Sequence, residues 1–524
     1  MSGDHVVALD VGTQSARALV VAPDGNIVAA ARVPFVPYVA LKPGWAEQDP
    51  DVHWRAASEA CRRVLADPAV RQDALAGVAL TTQRGTIVVT DEEGRPLRPA
   101  IIWLDDRRTE GLPPFGGVGG PTALGFRLLR LRDTIEAFAA ACEATWLRAN
   151  EPAVWSQIRH YLFLSGYLTH RLTGRFADSS AAQVGYVPFD YRRFRWAKQG
   201  DWRWTVAPVD PAWLPELVEP TGMLGRITPK AAEETGLPAG LPVIAAAADK
   251  ACEVLGSGAI TPDIAAISFG TAASVNVTMR RYVEAIPLIP PFPSAIPGAY
   301  SLEIQVYRGY WMVEWFKREF AATEVARAEA AGVAPETLFD DLVASVPAGS
   351  MGLMLQPYWS PGVRIPGPEA KGAIIGFGDV HTRAHVYRAI LEGLAYALRE
   401  GLDRTARRTG TTPTSLRIAG GGSQSPAAVQ LTADVFGLPV ARGATHEASG
   451  LGAAIDAAVG LAIHDDIGSA VAAMVHVGET RDPDPGAHAR YDELYRDVYR
   501  HMYGRLRPLY REIRRITGYP PALH

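Results

Sequence analysis

Short apolar runs that end in glycine turns recur along this chain. The first run, residues 6–9, leads into Asp10-Val11-Gly12-Thr13, and a second run follows at residues 18–21. The hairpin signal Asp24-Gly25 then precedes a third run at residues 27–29. Runs of this length between turn residues predict strands. The chain therefore opens with a predicted strand, turn, strand, hairpin and strand.

The same pattern returns about half a chain length later. An apolar run at residues 264–267 ends in Ser268-Phe269-Gly270-Thr271, and another run follows at residues 274–277. A repeat of this kind predicts two related domains, although the matching stretch is short.

Helical spacing and strand-like runs alternate through the rest of the chain. Residues 387–405 carry apolar side chains at helical spacing, and residues 491–516 form an aromatic, Arg-rich pattern typical of a terminal helix packed on the body. Further strands are predicted at residues 243–246 and 416–419. This alternation predicts an α/β fold. The predicted domains are residues 1–256 and 257–465, followed by a helical tail at residues 466–524.

Composition and charge exclude several classes of protein. The 524 residues include 52 Lys+Arg and 56 Asp+Glu, a net charge of -4 that is too balanced for a chain that mainly grips nucleic acid or anionic lipid. No lysine follows a glycine, which excludes a standard P-loop. The chain lacks a leader-like N-terminus and any apolar run near 18 residues. We therefore expect a cytoplasmic protein that binds neither nucleic acid nor membrane.

The three cysteines, Cys61, Cys142 and Cys252, stand far apart in the sequence. Their spacing excludes a thiolate zinc site and a disulfide framework. We expect buried free thiols.

The first candidate for chemistry is the turn that begins at Asp10. A tight turn at Gly12 can direct backbone N–H groups at a phosphate, with the hydroxyls of Thr13 and Ser15 as further donors. Arg17 can neutralise phosphate charge, and Asp10 can hold a hydrated Mg²⁺. The alternative is a plain β-hairpin in which Asp10 caps a turn.

Two further glycine turns follow predicted strands. Gly270-Thr271 can hold the same phosphates from a second domain, and Gly420-Gly421-Gly422 allows a flat ligand to lie on the backbone at a helix start. Each turn is equally compatible with an ordinary connection between elements.

Asp249 lies between an apolar strand and a helical stretch. An aspartate at this position most often caps the helix N-terminus. The alternative is a general base directed into a cleft between domains.

Taken together, these constellations and a set of ten markers, which includes Asp249 and the Gly420 to Gly422 turn, resemble the FGGY carbohydrate kinases, which include glycerol kinase and xylulokinase. The resemblance extends from about residue 5 to about residue 505. Its markers occur in the family's order: Gly44 to Pro50, Trp103 to Arg107, Leu172-Thr173-Gly174, Phe189-Asp190, Asp249, Gly376-Phe377, Arg388 to Gly393, Gly420 to Gly422, Asp434 to Val440, and Leu451 to Ala454.

The resemblance implies two ribonuclease H-like domains of the actin, hexokinase and Hsp70 superfamily, with a cleft between them. The first domain would bind the sugar and the second the nucleotide. It implies ATP and Mg²⁺ as cofactors and Asp249 as the base that accepts a hydroxyl proton. It assigns the metal to Asp10 and the nucleotide to a set of turn residues: Thr13, Ser15, Arg17, Gly270, Thr271, Gly421, Gly422 and Gln424.

The acceptor is left open by the sequence. The resemblance places Arg84, Trp103, Asp249 and Lys250 at the acceptor. However, Gly85 stands where glycerol kinases carry Glu, and Lys250 stands where relatives often carry Gln or Asn. A ketose, a polyol or a sugar acid could fit, so xylulokinase and glycerol kinase both remain alternatives.

Two other classes also remain. One is an ATPase module like Hsp70 or actin, which hydrolyses ATP with water, and the other is a catalytically silent sugar sensor. Whether the enzyme is a xylulokinase or a glycerol kinase, its small-molecule partner is a sugar or polyol. The sequence leaves open whether the chain forms a homodimer.

Overall fold

A computed structural model describes residues 3–36, 38–129, 131–287, 289–332, 335–362 and 365–519, except the side chains of residues 336 and 337. Residues 520–524 of the predicted tail lie outside this range.

The first half of the chain builds one large sheet with small sheets and helices around it. Its strands are β1 His5–Val11, β2 Ser15–Val21, β3 Ile27–Pro34, β4 Glu47–Gln48, β5 Leu75–Thr82, β6 Ile87–Thr90, β7 Ala100–Ile101, β8 His160–Phe163, β9 Ala177–Ser179, β10 Phe189–Asp190, β11 Arg195–Trp196, β12 Glu216–Val218, β13 Met223–Arg226 and β14 Pro242–Ala248. Its helices are α1 Pro50–Leu65, α2 Gly120–Leu128, α3 Arg132–Ala141, α4 Glu143–Asn150, α5 Pro152–Trp155, α6 Leu164–Thr173, α7 Arg203–Val206, α8 Pro229–Thr235 and α9 Asp249–Gly256.

The second half repeats this plan. Its strands are β15 Ile264–Phe269, β16 Ala273–Met279, β17 Phe292–Pro293, β18 Tyr300–Val306, β19 Met354–Gln356, β20 Ala373–Ile375, β21 Ser415–Ala419, β22 Val440–Gly443 and β23 Val477–Arg481. Its helices are α10 Trp311–Phe320, α11 Ala322–Ala331, α12 Pro335–Ala344, α13 Arg383–Thr409, α14 Pro426–Phe436, α15 Ala448–Gly460, α16 Ile467–Met474, α17 Pro485–Leu494 and α18 Arg500–Thr517.

The two large sheets share one topology. The first runs β13-β14-β5-β1-β2-β3, and the second runs β17-β18-β16-β15-β21-β22-β23. In each sheet, a run of antiparallel strands precedes the parallel partners. This run is β1, β2 and β3 in the first sheet and β15, β16, β18 and β17 in the second. β1 then pairs in parallel with β5, and β15 with β21. The predicted duplication is therefore confirmed, and so is the α/β class with two ribonuclease H-like domains.

The C-terminal tail differs in part from the purely helical segment that we predicted. Strand β23 pairs antiparallel with β22 and extends the second sheet. An edge strand this short and exposed carries no apolar alternation, so its residues show no strand pattern in the sequence. The helical part packs on the body through the buried rings of Tyr491, Tyr495 and Tyr499.

Helix α15 links the two halves. In the chain it lies between β22 and β23 of the second sheet, yet its apolar residues pack against α9 and strands of the first sheet. The three cysteines are buried free thiols, as predicted. Among the described helices, none has the length and apolar character needed to cross a bilayer.

Candidate active site

The carboxyl ends of the parallel strands in the first sheet bring three predicted site residues to one edge. Asp10 lies at the end of β1, Arg84 follows β5, and Asp249 follows β14. Because β1, β5 and β14 run in the same direction, their ends meet at the same edge of the sheet. The repeated topology places Gly270 after β15 and Gly420 after β21 at the corresponding edge of the second sheet.

Asp10 is almost fully buried, with 4% of its surface exposed. Arg17 donates from Nη1 to Oδ2 of Asp10 at 3.2 Å, and its Nε lies 3.6 Å from Oε2 of Glu447. Burial raises the pKa of Asp10 to about 7, although Arg17 acts in the opposite direction. Two carboxylates thus share one guanidinium at the edge of the first sheet.

The hydroxyls of the first turn already have partners. Thr13 donates to Oε1 of Gln83 at 2.7 Å and accepts from Nε1 of Trp103 at 3.0 Å. Ser15 accepts from Nε of Arg32 on the neighbouring strand at 3.1 Å. Trp103, predicted to touch the acceptor, is therefore tied to the predicted phosphate turn through Thr13.

Asp249 is the first residue of α9 and does not occupy the cap position, which Ala248 holds. Its Oδ1 accepts from the backbone N–H of Lys250 at 2.7 Å. Burial raises the pKa of the Asp249 carboxyl, while Lys250 and Arg84 act to lower it.

Lys250 extends towards the second domain. Its ammonium donates to Oγ of Ser268 and lies 3.2 Å from Oε1 of Glu253. A Cβ on Gly270 would lie 3.8 Å from the same Nζ. The ammonium therefore stands between Asp249 and the turn at Gly270.

Arg84 also reaches across the cleft. Its Nη1 and Nη2 donate to the two carboxylate oxygens of Glu303, on β18 of the second sheet, at 2.6 and 2.8 Å. The guanidinium lies over the ring of Phe292, 5.0 Å from its centroid. The pair raises the pKa of Arg84 and lowers that of Glu303, so both groups stay charged.

The glycine turns of the second sheet have different surroundings. Thr271 is exposed, and its carbonyl accepts from the backbone N–H of Trp311. Gly421 has open space at its Cβ position, whereas Gly422 lies against the ring of Tyr310. Gln424 is exposed at the end of the same turn.

Several site residues escaped the sequence analysis, namely Gln83, Glu253, Glu303 and Glu447. Glu303 offered one signal, because it is an acidic residue that faces the same side as other polar residues of an apolar strand. Nothing in the sequence connects it with Arg84, which lies 219 residues away.

The two large sheets have the same topology, and Asp10 and Asp249 lie at the edge of the first sheet that faces the second. This arrangement defines a two-domain protein of the actin-like ATPase fold. The chain belongs to the FGGY family of carbohydrate kinases. The model of the family's N-terminal domain matches residues 5–256, and that of its C-terminal domain matches residues 265–461. Members of this family are phosphotransferases with a hydroxyl acceptor, so the predicted class of enzyme is confirmed.

Individual relatives cover almost the entire chain. A xylulose kinase of Staphylococcus epidermidis is 28% identical over 522 residues, covering 99% of this chain and 100% of its own length. An autoinducer-2 kinase of Escherichia coli is 30% identical over 516 residues, with coverage of 95% and 94%. The crystal structure of a xylulose kinase from Rhodospirillum rubrum has a TM-score of 0.77 at 28% identity, with coverage of 97% and 100%.

Proposed function

We propose that this carbohydrate kinase transfers the γ-phosphate of ATP to a hydroxyl of a ketose or polyol, with Asp249 as the general base. The observation that carries the proposal is the position of Asp249. Asp249 lies at the edge of the first sheet, and its carboxylate accepts a hydrogen bond from the backbone N–H of Lys250. The ammonium of Lys250 in turn donates to Ser268, beside the Gly270 turn. A base at this point lies between the acceptor side of the cleft and the phosphate side.

The proton transfer follows from the electrostatics around Asp249. Burial raises the pKa of its carboxyl, which makes the group a better proton acceptor than an exposed aspartate. Lys250 and Arg84 limit that rise, so the carboxylate stays available as a base. The acceptor hydroxyl gives its proton to Asp249 as its oxygen attacks the γ-phosphorus in line. The bond from that phosphorus to the β-phosphate oxygen breaks, and ADP leaves.

We place the nucleotide along the two facing edges. Thr13, Ser15 and Arg17 would lie on its phosphates from the first domain, and Gly270 with Thr271 from the second. Gly421 and Gly422 would form the floor under the adenosine, with Gln424 beside them. The open space at Gly421 supports that floor, whereas the Tyr310 ring against Gly422 would have to be part of the pocket wall.

The donor set at Asp10 fits a hydrated Mg²⁺, which takes few carboxylates and keeps several waters. Oε2 of Glu447 is buried and makes no hydrogen bond within the described part of the chain, so a second carboxylate oxygen faces the same region. When bound there, Mg²⁺ would neutralise phosphate charge. Asp10 would hold it, with Arg17 orienting both carboxylates.

For the acceptor, we propose a chain of about four to six carbons, in line with the xylulose kinase and autoinducer-2 kinase relatives. Gly85 carries φ +67°, which favours glycine, and a Cβ there would lie 3.4 Å from Cβ of Trp103. Because Gly85 has no side chain, this position lacks the carboxylate that glycerol kinases carry there. Glycerol should therefore be a poor acceptor.

The test is kcat/KM with fixed MgATP across glycerol, tetritols, pentuloses and hexuloses, with the phosphorylated product identified by mass. We expect one neutral ketose or polyol longer than glycerol to give the highest value. ADP release with no acceptor dependence would indicate an ATPase module instead, and acceptor binding without turnover would indicate a silent sensor. The highest value for glycerol would make this an atypical glycerol kinase.

A further inference from the structure

A bidentate ion pair between Arg84 and Glu303 joins the two domains near Asp249, the proposed base. Arg84 follows a strand of the first sheet, and Glu303 lies within a strand of the second. Both Oε atoms of Glu303 accept from the guanidinium, at 2.6 and 2.8 Å, and only 3% of the Glu303 side chain is exposed. Bidentate pairs of this kind have a fixed geometry and are strong.

Both cations that act on Asp249 are already neutralised. Arg84 is paired with Glu303, and Lys250 with Glu253 at 3.2 Å. Glu303 also acts electrostatically on Lys250. On the acceptor side of Asp249, the carboxylates of Glu303 and Glu253 therefore neutralise the charges of Arg84 and Lys250.

We infer that the acceptor of this enzyme is uncharged, and that Glu303, contributed by the nucleotide-side domain, is the residue that excludes anionic sugars. The inference rests on the proposed function. An acceptor carboxylate next to Arg84 would meet Glu303 in the same place, and a like charge built into a site discriminates strongly against an anionic ligand.

The pair still offers contacts to a neutral sugar. A guanidinium carries five N–H donors, and Glu303 takes two of them. The remaining donors can bind a hydroxyl or carbonyl oxygen without displacing Glu303. The carboxylate of Glu303 can in turn accept from a sugar hydroxyl. A site of this kind favours acceptors whose oxygen atoms belong to hydroxyl or carbonyl groups, which are polar but uncharged.

The experiment compares acceptors of equal carbon number on the full-length enzyme with fixed MgATP: xylulose and xylitol against xylonate, and fructose and sorbitol against gluconate. For the wild type, we expect kcat/KM for each aldonate to be at least about 10²-fold below that of the better neutral partner. In Glu303→Gln, the charge of Arg84 is released, and this ratio should narrow about tenfold or more.

Glu324→Gln is the matched control. Glu324 is another buried glutamate of the second domain, and it pairs with Arg383 at 2.6 Å within that domain. Its aldonate ratio should stay within about twofold of the wild-type ratio. A wild type that prefers an aldonate overturns the inference, and so does a Glu303→Gln enzyme whose ratio is unchanged.

The double variant Arg84→Gln/Glu303→Gln keeps the inference testable if Glu303→Gln does not fold, because it removes both charges of the pair and leaves neither one buried alone. If Glu303 excludes anionic acceptors, the aldonate ratio should also narrow in the double variant. If Arg84 were instead a carboxylate-binding cation, the ratio would widen, and that result counts against us. Failure of the proposed function looks different, because no acceptor would then raise ADP release above the water background.

Discussion

Gly452 of helix α15 lies directly against the backbone carbonyl of Cys252 in helix α9. A Cβ at Gly452 would stand 1.9 Å from that carbonyl oxygen, and a Cβ at Gly256 would stand 2.0 Å from the carbonyl oxygen of Ala448. Only glycine allows two helix backbones to approach this closely. Since α9 begins with Asp249, this contact sets where the proposed base stands relative to the second domain.

Gly452→Ala should therefore affect both stability and activity. The added methyl group must push α9 and α15 apart, which typically costs about 1–3 kcal/mol or more in a well-packed core. We expect a lower Tm and a reduced kcat, because Asp249 moves with α9. Gly504→Ala is the control, since no atom of the described residues outside its own helix lies within 4 Å of its Cβ position. If Gly452→Ala keeps the wild-type Tm and kcat, then the close contact between α9 and α15 contributes neither to stability nor to the position of Asp249.

Asp249→Asn tests the base directly. The amide keeps the size and polarity of the side chain but cannot accept the hydroxyl proton. We expect kcat to fall about 10²–10⁴-fold while nucleotide binding is retained. Steady-state kinetics and ATP-analogue titration on the same preparation separate the two effects. A kcat within about threefold of the wild type would remove Asp249 from this role.

The acid limb of the pH profile should respond to Lys250. Asp249 is active only as the carboxylate, so kcat/KM falls as the pH drops through its pKa. Lys250 acts to lower that pKa. In Lys250→Met, the pKa should therefore rise, and the acid limb should move to higher pH. Lys198→Met, at an exposed position, serves as the control. A limb that moves to lower pH, or stays in place, would contradict the assignment.

Asp456 of α15 predicts a pH-dependent stability. It is 0% exposed, and within the described residues neither carboxylate oxygen has a hydrogen-bond partner. Burial raises its pKa well above the ordinary value. The folded state thus keeps a proton that the unfolded chain has lost, and the free energy of unfolding falls as the pH rises towards the folded pKa.

Asp456→Asn removes this proton linkage. The variant should be more stable than the wild type at about pH 8, and the difference should shrink towards about pH 3, where the unfolded aspartate is also mostly protonated. Denaturant unfolding at the two pH values measures it. If the stability difference between Asp456→Asn and the wild type is the same at both pH values, then Asp456 is charged in the folded state.

Much of this protein could be predicted from its sequence. Apolar runs with glycine turns at Gly12 and Gly270 predicted the duplicated strands, because the local conformational preferences of these residues agree with the fold. The family markers, spread over nearly the whole chain, indicated a carbohydrate kinase. The positions of Asp10 and Asp249 after strands followed from the same local pattern.

Only the tertiary structure decided how the two halves meet. It paired Arg84 with Glu303 across the cleft, directed Lys250 at Ser268, and laid α15 on α9. It also turned part of the helical tail into the edge strand β23. Charges choose their partners by distance in space, and close helix packing depends on both surfaces at once. Neither the pairing of charges nor the packing of helices is set by residues that are neighbours in the sequence. These contacts could therefore not be predicted from the sequence alone.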